Sequence, residues 1–374
     1  MVMPYLDQQV VAQALDWLHS GEPVWLCTVL STFGSSPREP GAMMTARINT
    51  TQRTEHLGSL SGGCVEEDFL ERLFDGEFTQ PATVLTYGAG AQAHASATNT
   101  NATNASAGTE AKVQLPCGGT LVVLVEHWQP DNPHTLAHAQ AMLACLSGSH
   151  QAIREVCLDA ARPPTLTPIP DTQSTPDTHL TPLLTMDTHR CITPPPAMVG
   201  RVQQLDQLIR LHIGPSSRLI IAGLSSVAHC CAEFAVALGY EVIVCEPREE
   251  ERLGFQLPGV ILDTRMPSAF IRQAGQCHAA TAVVAMTHDP RIDDLAMMAA
   301  VKTPAFYIGV MGSRRTSDAR AARLMRSGGL SSQQVERLHM PIGLALGSKT
   351  PAEIALAVMA DVVRVQKGQS RDQL

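Results

Sequence analysis

The sequence predicts an α/β protein whose carboxy-terminal half is a Rossmann-like parallel sheet and whose amino-terminal half is a mixed α+β domain. From Arg218 onward, short apolar segments rich in β-branched residues alternate with helical segments, an order typical of a parallel, doubly wound sheet. Before residue 160, two strand patterns occur together with two helical patterns and without that alternation. The two halves are therefore expected to fold differently.

The domain organisation follows from length and composition. A chain of 374 residues exceeds one usual core, so we expect a first domain over residues 1–160, a linker over 161–197 and a second domain over 198–374. The linker is rich in Pro and Thr, which favours extended structure over packing. Residues 91–112 are almost all small or polar and are predicted to form a flexible insertion.

The first domain opens with a predicted helix over residues 8–19, where apolar residues recur at helical spacing. Val24–Leu30 and Leu121–Val125 are short runs rich in β-branched residues and predict buried strands. A second helix is predicted over Val65–Leu73. Cysteines inside apolar strands or on helix faces are expected to pack in the core.

The second domain contains a series of short apolar strands separated mostly by helical stretches. The predicted strands are Leu219–Ala222, Glu241–Cys245, Val260–Leu262, Ala282–Met286 and Ala305–Ile308. The last helix carries a capping box, in which Thr350 and Glu353 satisfy each other's backbone donors, with Pro351 at the first helical position.

Composition excludes several function classes. The net charge of −8 provides no basic surface for nucleic acid or an anionic membrane. No charged segment followed by an apolar run opens the sequence, and no apolar stretch reaches membrane-spanning length, so we expect a cytoplasmic protein. The ten cysteines include no CxxC pair, which argues against structural zinc, and a chain of this length needs no disulfides.

Two segments, Ser61–Glu66 and Leu115–Gly119, each place a cysteine beside a pair of glycines. Such glycines can turn backbone amides toward a ligand, and a thiolate near those amides binds soft partners such as a metal or a transferable sulfur. Simple packing of two small thiols is the alternative, and Glu66 is close enough to change the environment of the first thiol. The predicted site residues are Cys64, Cys117, Gly62, Gly63, Gly118 and Gly119.

The segment Gly223–Ala228 follows a predicted strand and precedes a helix, where a dinucleotide fingerprint belongs. The fingerprint is incomplete, because Ser225 occupies the position at which a bare backbone approaches the pyrophosphate. Glu246 ends the second strand and is placed for a ribose hydroxyl, while Arg248 could bind a phosphate. We therefore expect a Rossmann scaffold with a changed ligand and do not expect NAD(P).

Two further positions predict anion binding. Gly312–Arg315 opens a helix, so that the amides after Ser313, the helix dipole and the side chains of Arg314 and Arg315 could bind a phosphate. A capped helix with solvated arginines is the alternative. Arg38 follows a loop of small residues and could also bind a phosphate, or be an ordinary surface arginine.

Together these segments resemble the XdhC/CoxI family. The blocks that carry the resemblance are Phe33–Met44, Ser61–Glu66, Leu115–Gly119, Tyr307–Arg315, Pro341–Leu344 and Thr350–Ala355. Members of this family are accessory proteins that bind molybdenum cofactor and deliver it, in sulfurated form, to xanthine-dehydrogenase-type molybdenum hydroxylases. The family usually has Gly-Ala-Gly-His where this chain has Gly223–Ser226, which leaves the ligand of that loop open.

The resemblance implies a chaperone more than a turnover enzyme. It implies binding of molybdenum cofactor, support for its sulfuration by a partner cysteine desulfurase, and insertion into the apo-enzyme of a molybdenum hydroxylase. It places the cofactor between the two domains, near Cys64, Cys117, Arg38, Arg314 and Arg315, with the two thiols facing molybdenum or carrying sulfur. We expect a homodimer, since symmetric pairs are the commonest oligomers. The rival interpretation is an oxidoreductase that uses a nicotinamide cofactor and the cysteine pair.

Overall fold

The computed structural model describes residues 6–33, 38–88, 119–159, 162–169 and 208–370, and within them the predicted α/β fold class is confirmed. The helices are α1 (Leu6–His19), α2 (Cys64–Phe74), α3 (Pro133–Ser147), α4 (Ser226–Ala237), α5 (Glu249–Arg252), α6 (Pro267–Arg272), α7 (Pro290–Ala300), α8 (Arg314–Arg326), α9 (Ser332–Glu336) and α10 (Pro351–Gln366). The strands are β1 (Val24–Phe33), β2 (Met43–Ile48), β3 (Thr54–Gly58), β4 (Ala82–Gly88), β5 (Thr120–Trp128), β6 (Ala152–Cys157), β7 (Thr165–Pro168), β8 (Leu208–Ile213), β9 (Arg218–Ala222), β10 (Glu241–Cys245), β11 (Val260–Asp263), β12 (Thr281–Ala285), β13 (Tyr307–Val310) and β14 (Leu338–His339).

An antiparallel sheet with the strand order β3-β2-β1-β5-β4 forms the centre of the amino-terminal half. Its two faces have separate cores, because Leu26 and Leu124 pack with α1 while Cys27 and Val125 pack with α2. With both faces covered, β1 is buried from its first residue to Leu30. This explains why its sequence is an almost continuous apolar run rather than an alternating one.

The termini of three strands, β1, β4 and β5, lie together at one end of this sheet. The last residue of β1, Phe33, pairs with Thr120 at the start of β5, and Thr120 also pairs with Gly88 at the end of β4. A Cβ on Gly88 would lie 2.0 Å from the carbonyl oxygen of Gly119, so only glycine allows the close approach. The segment that follows Phe33 and the segment that precedes Thr120 are therefore both attached at this end of the sheet.

A second, three-stranded antiparallel sheet has the order β7-β6-β8. Strand β7 lies inside the expected linker 161–197, and β8 lies inside the expected second domain 198–374. In β8 every second residue is buried, and its Ile209 and Leu211 join the core formed by α1 and β1. We therefore propose that the first domain extends to residue 213, whereas residues 91–112 and 170–197 lie outside the described residues.

The carboxy-terminal sheet is parallel throughout, with the order β11-β10-β9-β12-β13-β14. This is the strand order of a doubly wound Rossmann sheet and confirms the predicted architecture. Helices α4 and α10 pack on one face, and α6, α7 and α8 pack on the other. The predicted capping box of α10 is present, since Thr350 Oγ1 accepts the Glu353 N–H at 3.3 Å and Glu353 Oε2 accepts the Thr350 N–H at 3.1 Å.

The first half packs against the amino ends of the parallel strands. Gln8 Nε2 donates to Ser216 Oγ at 3.3 Å, two residues before β9 begins, and Glu39 forms an ion pair with Lys367 at the end of α10. The carboxyl ends of the parallel strands consequently point away from the first half. In the part of the chain that the structure describes, no helix combines the length and apolar character needed to cross a bilayer.

Candidate functional site

The carboxylate of Glu66 organises the loop that precedes α2. Its two oxygens accept hydrogen bonds from six groups of the five residues Ser59–Gly63. The donors are Ser59 Oγ at 2.7 Å, the N–H groups of Leu60 at 2.6 Å, Ser61 at 2.8 Å, Gly62 at 3.1 Å and Gly63 at 2.9 Å, and Ser61 Oγ at 2.8 Å. Burial raises the pKa of Glu66, but the hydrogen bonds from Ser61 and Ser59 outweigh burial and hold that pKa well below its ordinary value.

The glycine pair has the predicted backbone shape but a partner inside the chain. Gly62 and Gly63 have φ values of 95° and 154°, which turn their amides inward. Those amides donate to Glu66 rather than facing outward toward a ligand. The signal was present in the sequence: Gly63 precedes α2, and Glu66 occupies its third helical position, where a carboxylate reaches back to the capping residue's N–H.

Cys64 is the first residue of α2. Its backbone is thus at the positive end of the helix dipole, next to the loop amides that donate to Glu66. The side chain of Cys64, and all of Cys117 and Gly118, lie outside the described residues, so the predicted metal contacts of these thiols stay a prediction. Gly119 is described and is buried beside Gly88.

Arg38 contacts the loop that precedes α2. Its Nε donates to the carbonyl oxygen of Ser59 at 3.1 Å, and Ser59 is the first residue of the loop held by Glu66. In the sequence, Arg38 lies more than 20 residues before the glycine pair, and only the family resemblance implies that both belong to one site. The structure brings Arg38 to the Gly62–Gly63 loop and to the start of α2, and we name these residues the loop cluster.

A buried polar group that sequence reasoning missed lies beneath α2. Asp68, Arg72 and Tyr87 are 7%, 3% and 0% exposed, and Arg72 Nη1 is 3.6 Å from Asp68 Oδ2. Within the described residues, the Tyr87 hydroxyl and both Arg72 Nη atoms have no hydrogen-bond partner. Burial, followed by the Asp68 carboxylate, raises the pKa of Tyr87. The sequence does contain a sign of this buried group, because Asp68 and Arg72 are four residues apart on the helix face that also buries Phe69.

At the Rossmann fingerprint, Gly223 and Ser225 have structural roles. Gly223 has a φ of +83°, and a Cβ there would lie 2.0 Å from Thr287 Cγ2, so the turn requires glycine. Ser225 is the N-cap of α4, and its Oγ accepts the Ala228 N–H at 3.1 Å. The side chain that departs from the fingerprint thus caps the following helix.

Glu246 and Arg248, predicted to meet a ribose and a phosphate, are hydrogen-bonded to each other in this structure. The fully buried Glu246 carboxylate accepts Arg248 Nη2 at 2.7 Å, and Arg248 Nε at 2.8 Å. It also accepts the N–H of Leu224 at 2.6 Å, an amide of the turn itself. Burial raises the pKa of Glu246, but the hydrogen bonds from Arg248 and Leu224 lower it below its ordinary value. A ribose at this position would have to displace a complete set of internal hydrogen bonds.

The start of α8 carries two unpaired cations. Ser313 is the N-cap, and its Oγ accepts the Thr316 N–H at 3.2 Å. Arg314 and Arg315 are exposed, and neither side chain has an ionic or hydrogen-bond partner among the residues that the structure describes. Anion binding at these three positions stays a prediction.

The loop cluster and the α8 site lie at opposite ends of the parallel sheet. Glu39, adjacent to Arg38, pairs with Lys367 at the carboxyl end of α10. Ala357 of the same helix lines a cavity beside Ser313 and lies ten residues before Lys367, or about 15 Å along the helix axis. A single chain thus does not bring Arg38 together with Arg314 and Arg315. The expectation of one cofactor site between the domains stays a prediction.

No metal centre is formed by the side chains that the structure describes, since no three His, Cys, Asp or Glu residues among them are suitably grouped.

Two family models match the chain. One, described as the XdhC and CoxI family, matches residues 17–88, which contain the loop cluster. The other, described as the XdhC Rossmann domain, matches residues 219–362, which contain the parallel sheet and the α8 site.

Known proteins resemble the chain over nearly its whole length. The molybdenum cofactor insertion chaperone PaoD of Escherichia coli is 25% identical over 365 residues, covering 96% of this chain and 88% of that protein. A Bacillus subtilis protein described as a probable xanthine dehydrogenase component is 24% identical over 351 residues, covering 94% and 95%. A crystal structure described as a xanthine dehydrogenase from Bacillus halodurans has the same fold, with a TM-score of 0.60, 20% identity and coverage of 97% and 98%.

Proposed function

Because this chain belongs to the XdhC and CoxI family, we propose that it is a chaperone that binds molybdenum cofactor and inserts it into a xanthine-dehydrogenase-type enzyme. Support comes from PaoD, which is named as a molybdenum cofactor insertion chaperone and whose alignment with this chain covers 96% of the chain. The observation that carries the proposal is the loop cluster, where Cys64 begins α2 directly after a loop held by Glu66 and contacted by Arg38.

Each member of the loop cluster has a chemical role toward this cargo. A thiolate sulfur is a soft donor, suited to molybdenum or to a sulfur atom on its way to molybdenum. Arg38 contacts the loop and supplies a cation that suits a phosphate of the cofactor. Glu66 takes up the loop amides, so it is a positioning residue that holds the backbone before Cys64 in one conformation.

The finer parts of the proposal concern sulfuration and assembly. We include transfer of sulfur from a partner cysteine desulfurase, with Cys64 and Cys117 nearest to the exchanged ligand, and a homodimer. Sulfur transfer is tested by titrating the purified chain with a cysteine desulfurase and then measuring the activity of the cofactor before and after cyanide treatment. Analytical ultracentrifugation of the chain alone tests the homodimer.

The nicotinamide oxidoreductase is disfavoured by the internal pairing of Glu246. The carboxylate that would bind a ribose is fully buried and is bound by Arg248 and by the Leu224 amide.

Activation of a cofactor-free hydroxylase tests the proposed function. Chain loaded with molybdenum cofactor should restore activity to the apo-enzyme faster than the same amount of unbound cofactor. Arg38→Ala should slow activation, whereas Arg53→Ala, which removes an exposed arginine of the same half, should not. No activation by the unmodified chain, together with no retained pterin after gel filtration, would overturn the proposal.

A further inference from the structure

Helix α10 is apolar on almost every side, although it lies on the outside of the parallel sheet. Only three of its sixteen residues carry a charge, and one of these, Asp361, is fully buried. By contrast, α8 on the other face of the sheet carries six charged residues among thirteen. A helix with one side in water usually has charged residues on that side, and a helix that is apolar all round is usually buried. The composition of α10 therefore indicates that its outer side is covered.

The outer side of α10 carries five residues at alternating spacings of three and four, a spacing that keeps them along one side of a helix. We name them the outer stripe, and they are Glu353, Leu356, Ala360, Val363 and Lys367. Leu356 is 54% exposed, and none of the five is buried. The residues that pack into the core of the sheet, such as Val358 and Val362, lie on the opposite side of the helix. The outer stripe is therefore an apolar surface with one charge at each end.

The apolar surface extends onto the neighbouring helix α4. Its C-cap residue, Leu238, is 53% exposed. Tyr240, two residues later, donates its hydroxyl to Gln366 Oε1 in the last turn of α10, so Leu238 lies near that end of α10. Exposed apolar surface shared by two helices is typical of a protein–protein contact.

The charges of the outer stripe are arranged symmetrically about Ala360. Glu353 lies seven residues before Ala360 and Lys367 lies seven residues after it, which is about 10.5 Å on either side along the helix axis. When two copies of α10 cross at Ala360 in antiparallel orientation, each Glu353 lies opposite the partner's Lys367. The small side chain of Ala360 allows the close approach at the crossing, where packed helix axes are about 8–10 Å apart. The outer stripe is thus complementary to itself, as a two-fold interface requires.

Both charged residues can make this contact without losing the partners they have. Lys367 is paired with Glu39 of its own chain, but its side chain is 43% exposed and an ammonium group has three donors. Glu353 is exposed and uses Oε2 to accept the N–H groups of Lys349 and Thr350. A carboxylate has two oxygens and accepts about four hydrogen bonds, so a further donor can bind there.

We propose that α10 forms the two-fold interface of a homodimer, in which two outer stripes pack antiparallel with Glu353 opposite the partner's Lys367. This inference rests on the homodimer included in the proposed function and assigns its surface. The first turns of α10 line the cavity beside Ser313, and its last residue contacts Glu39, the neighbour of Arg38. Because the helices are antiparallel, the dimer brings the cavity of one subunit and the partner's Arg38 to the same end of the assembly, whereas one chain keeps these regions at opposite ends.

Sedimentation equilibrium of the full chain over a range of concentrations tests the surface, and the parent chain should be a dimer. Leu356→Glu should raise the dissociation constant of the dimer at least about tenfold, because it places two carboxylates in the apolar contact. Leu295→Glu is the matched control, since Leu295 is a 39% exposed leucine of α7 on the other face of the sheet. This control should leave the dissociation constant unchanged.

Charge reversal tests the antiparallel register. Glu353→Lys and Lys367→Glu should each weaken self-association, because like charges then face each other across the two-fold axis. An equimolar mixture of the two variants should form heterodimers at least about tenfold tighter than either homodimer, because both pairs across the axis again have opposite charges. The Glu353→Lys variant lacks the capping carboxylate both alone and in the mixture, so a change in the cap cannot produce this recovery.

Three results would overturn the inference: a monomeric parent chain, an unchanged dissociation constant for Leu356→Glu, or a mixture that associates no more tightly than its components. Activation of an apo-hydroxylase by the same preparations separates this inference from the chaperone function. A parent chain that activates the hydroxylase but sediments as a monomer overturns the dimer alone. A dimer that follows the charge-reversal pattern but does not activate the hydroxylase overturns the chaperone function alone.

Discussion

Glu66 Oε2 accepts the backbone N–H of Gly63 at 2.9 Å, and Cys64 lies between these two residues in the sequence. The contact is one half of a capping box, and the other carboxylate oxygen binds three further loop amides. A loop that looks open to ligands is therefore closed around its own carboxylate. Glu66 is consequently the residue on which the conformation of the Cys64 segment depends most.

Glu66→Gln should lower the free energy of unfolding by about 1–3 kcal/mol, because the amide presents its NH₂ to donors that need an acceptor. Urea denaturation at pH 7 measures the difference. Glu67→Gln is the matched control, since Glu67 is its exposed neighbour on α2 and should change stability by less than about 0.5 kcal/mol. Equal stability of both variants would show that the loop does not depend on Glu66.

The Glu66 contribution should also depend on pH. Its pKa is lower in the folded chain than in the unfolded chain, so its stabilisation is present above the unfolded pKa of about 4.3 and is lost as the pH falls toward the folded value. The stability difference between the parent and Glu66→Gln should therefore be constant near pH 7 and shrink below about pH 4. A difference that grows on acidification would contradict the hydrogen-bond assignment.

Cys64→Ser and Cys117→Ser should each impair retention of molybdenum cofactor while leaving the thermal midpoint nearly unchanged. Serine preserves size at the start of α2 but is a hard and far less acidic ligand. Pterin content after gel filtration and activation of an apo-hydroxylase are the measurements. Cys230→Ser, a half-buried thiol on α4, is the control. Normal retention by the double variant Cys64→Ser with Cys117→Ser would assign both thiols to packing.

NADH should show no saturable binding up to millimolar concentration, as followed by its fluorescence. The reason is the internal pairing of Glu246 with Arg248 and the Leu224 amide, in addition to the Ser225 side chain. Ser225→Gly should not create binding and should cost only a few tenths of a kcal/mol, because glycine is itself an acceptable N-cap. A micromolar dissociation constant in either protein would restore the oxidoreductase interpretation.

Asp68→Ala should lower the free energy of unfolding, whereas Tyr87→Phe should not. Removing Asp68 takes away one of the two carboxylates beside the buried Arg72, whose Nε keeps its 2.8 Å contact with Glu77, so the free energy of unfolding should fall by about 1–3 kcal/mol. Tyr87→Phe removes a buried hydroxyl that has no partner among the described residues, so stability should be unchanged or slightly higher. A large loss for Tyr87→Phe would reveal a hydrogen bond from that hydroxyl.

Much of the fold was predictable because it depends on local patterns. The apolar segments from Leu219 to Ile308 predicted a parallel sheet, and the Thr350 and Glu353 pair predicted the start of α10. These features involve residues within a few positions of one another, so their physics is readable along the chain. No strand was predicted over residues 208–213, which were assigned to the second domain, because the partner strand β6 lies some 50 residues earlier and local patterns do not show the pairing.

The sequence by itself determined which residue types are available at the candidate sites: two thiols beside glycines, an incomplete fingerprint, and arginines at a helix start. Only the tertiary structure decided what those groups contact. It directed the glycine amides to Glu66, paired Glu246 with Arg248, and separated Arg38 from Arg314 at opposite ends of the parallel sheet. The physical reason is that a donor binds whichever acceptor the folded chain brings within about 3 Å, and sequence spacing does not contain that distance.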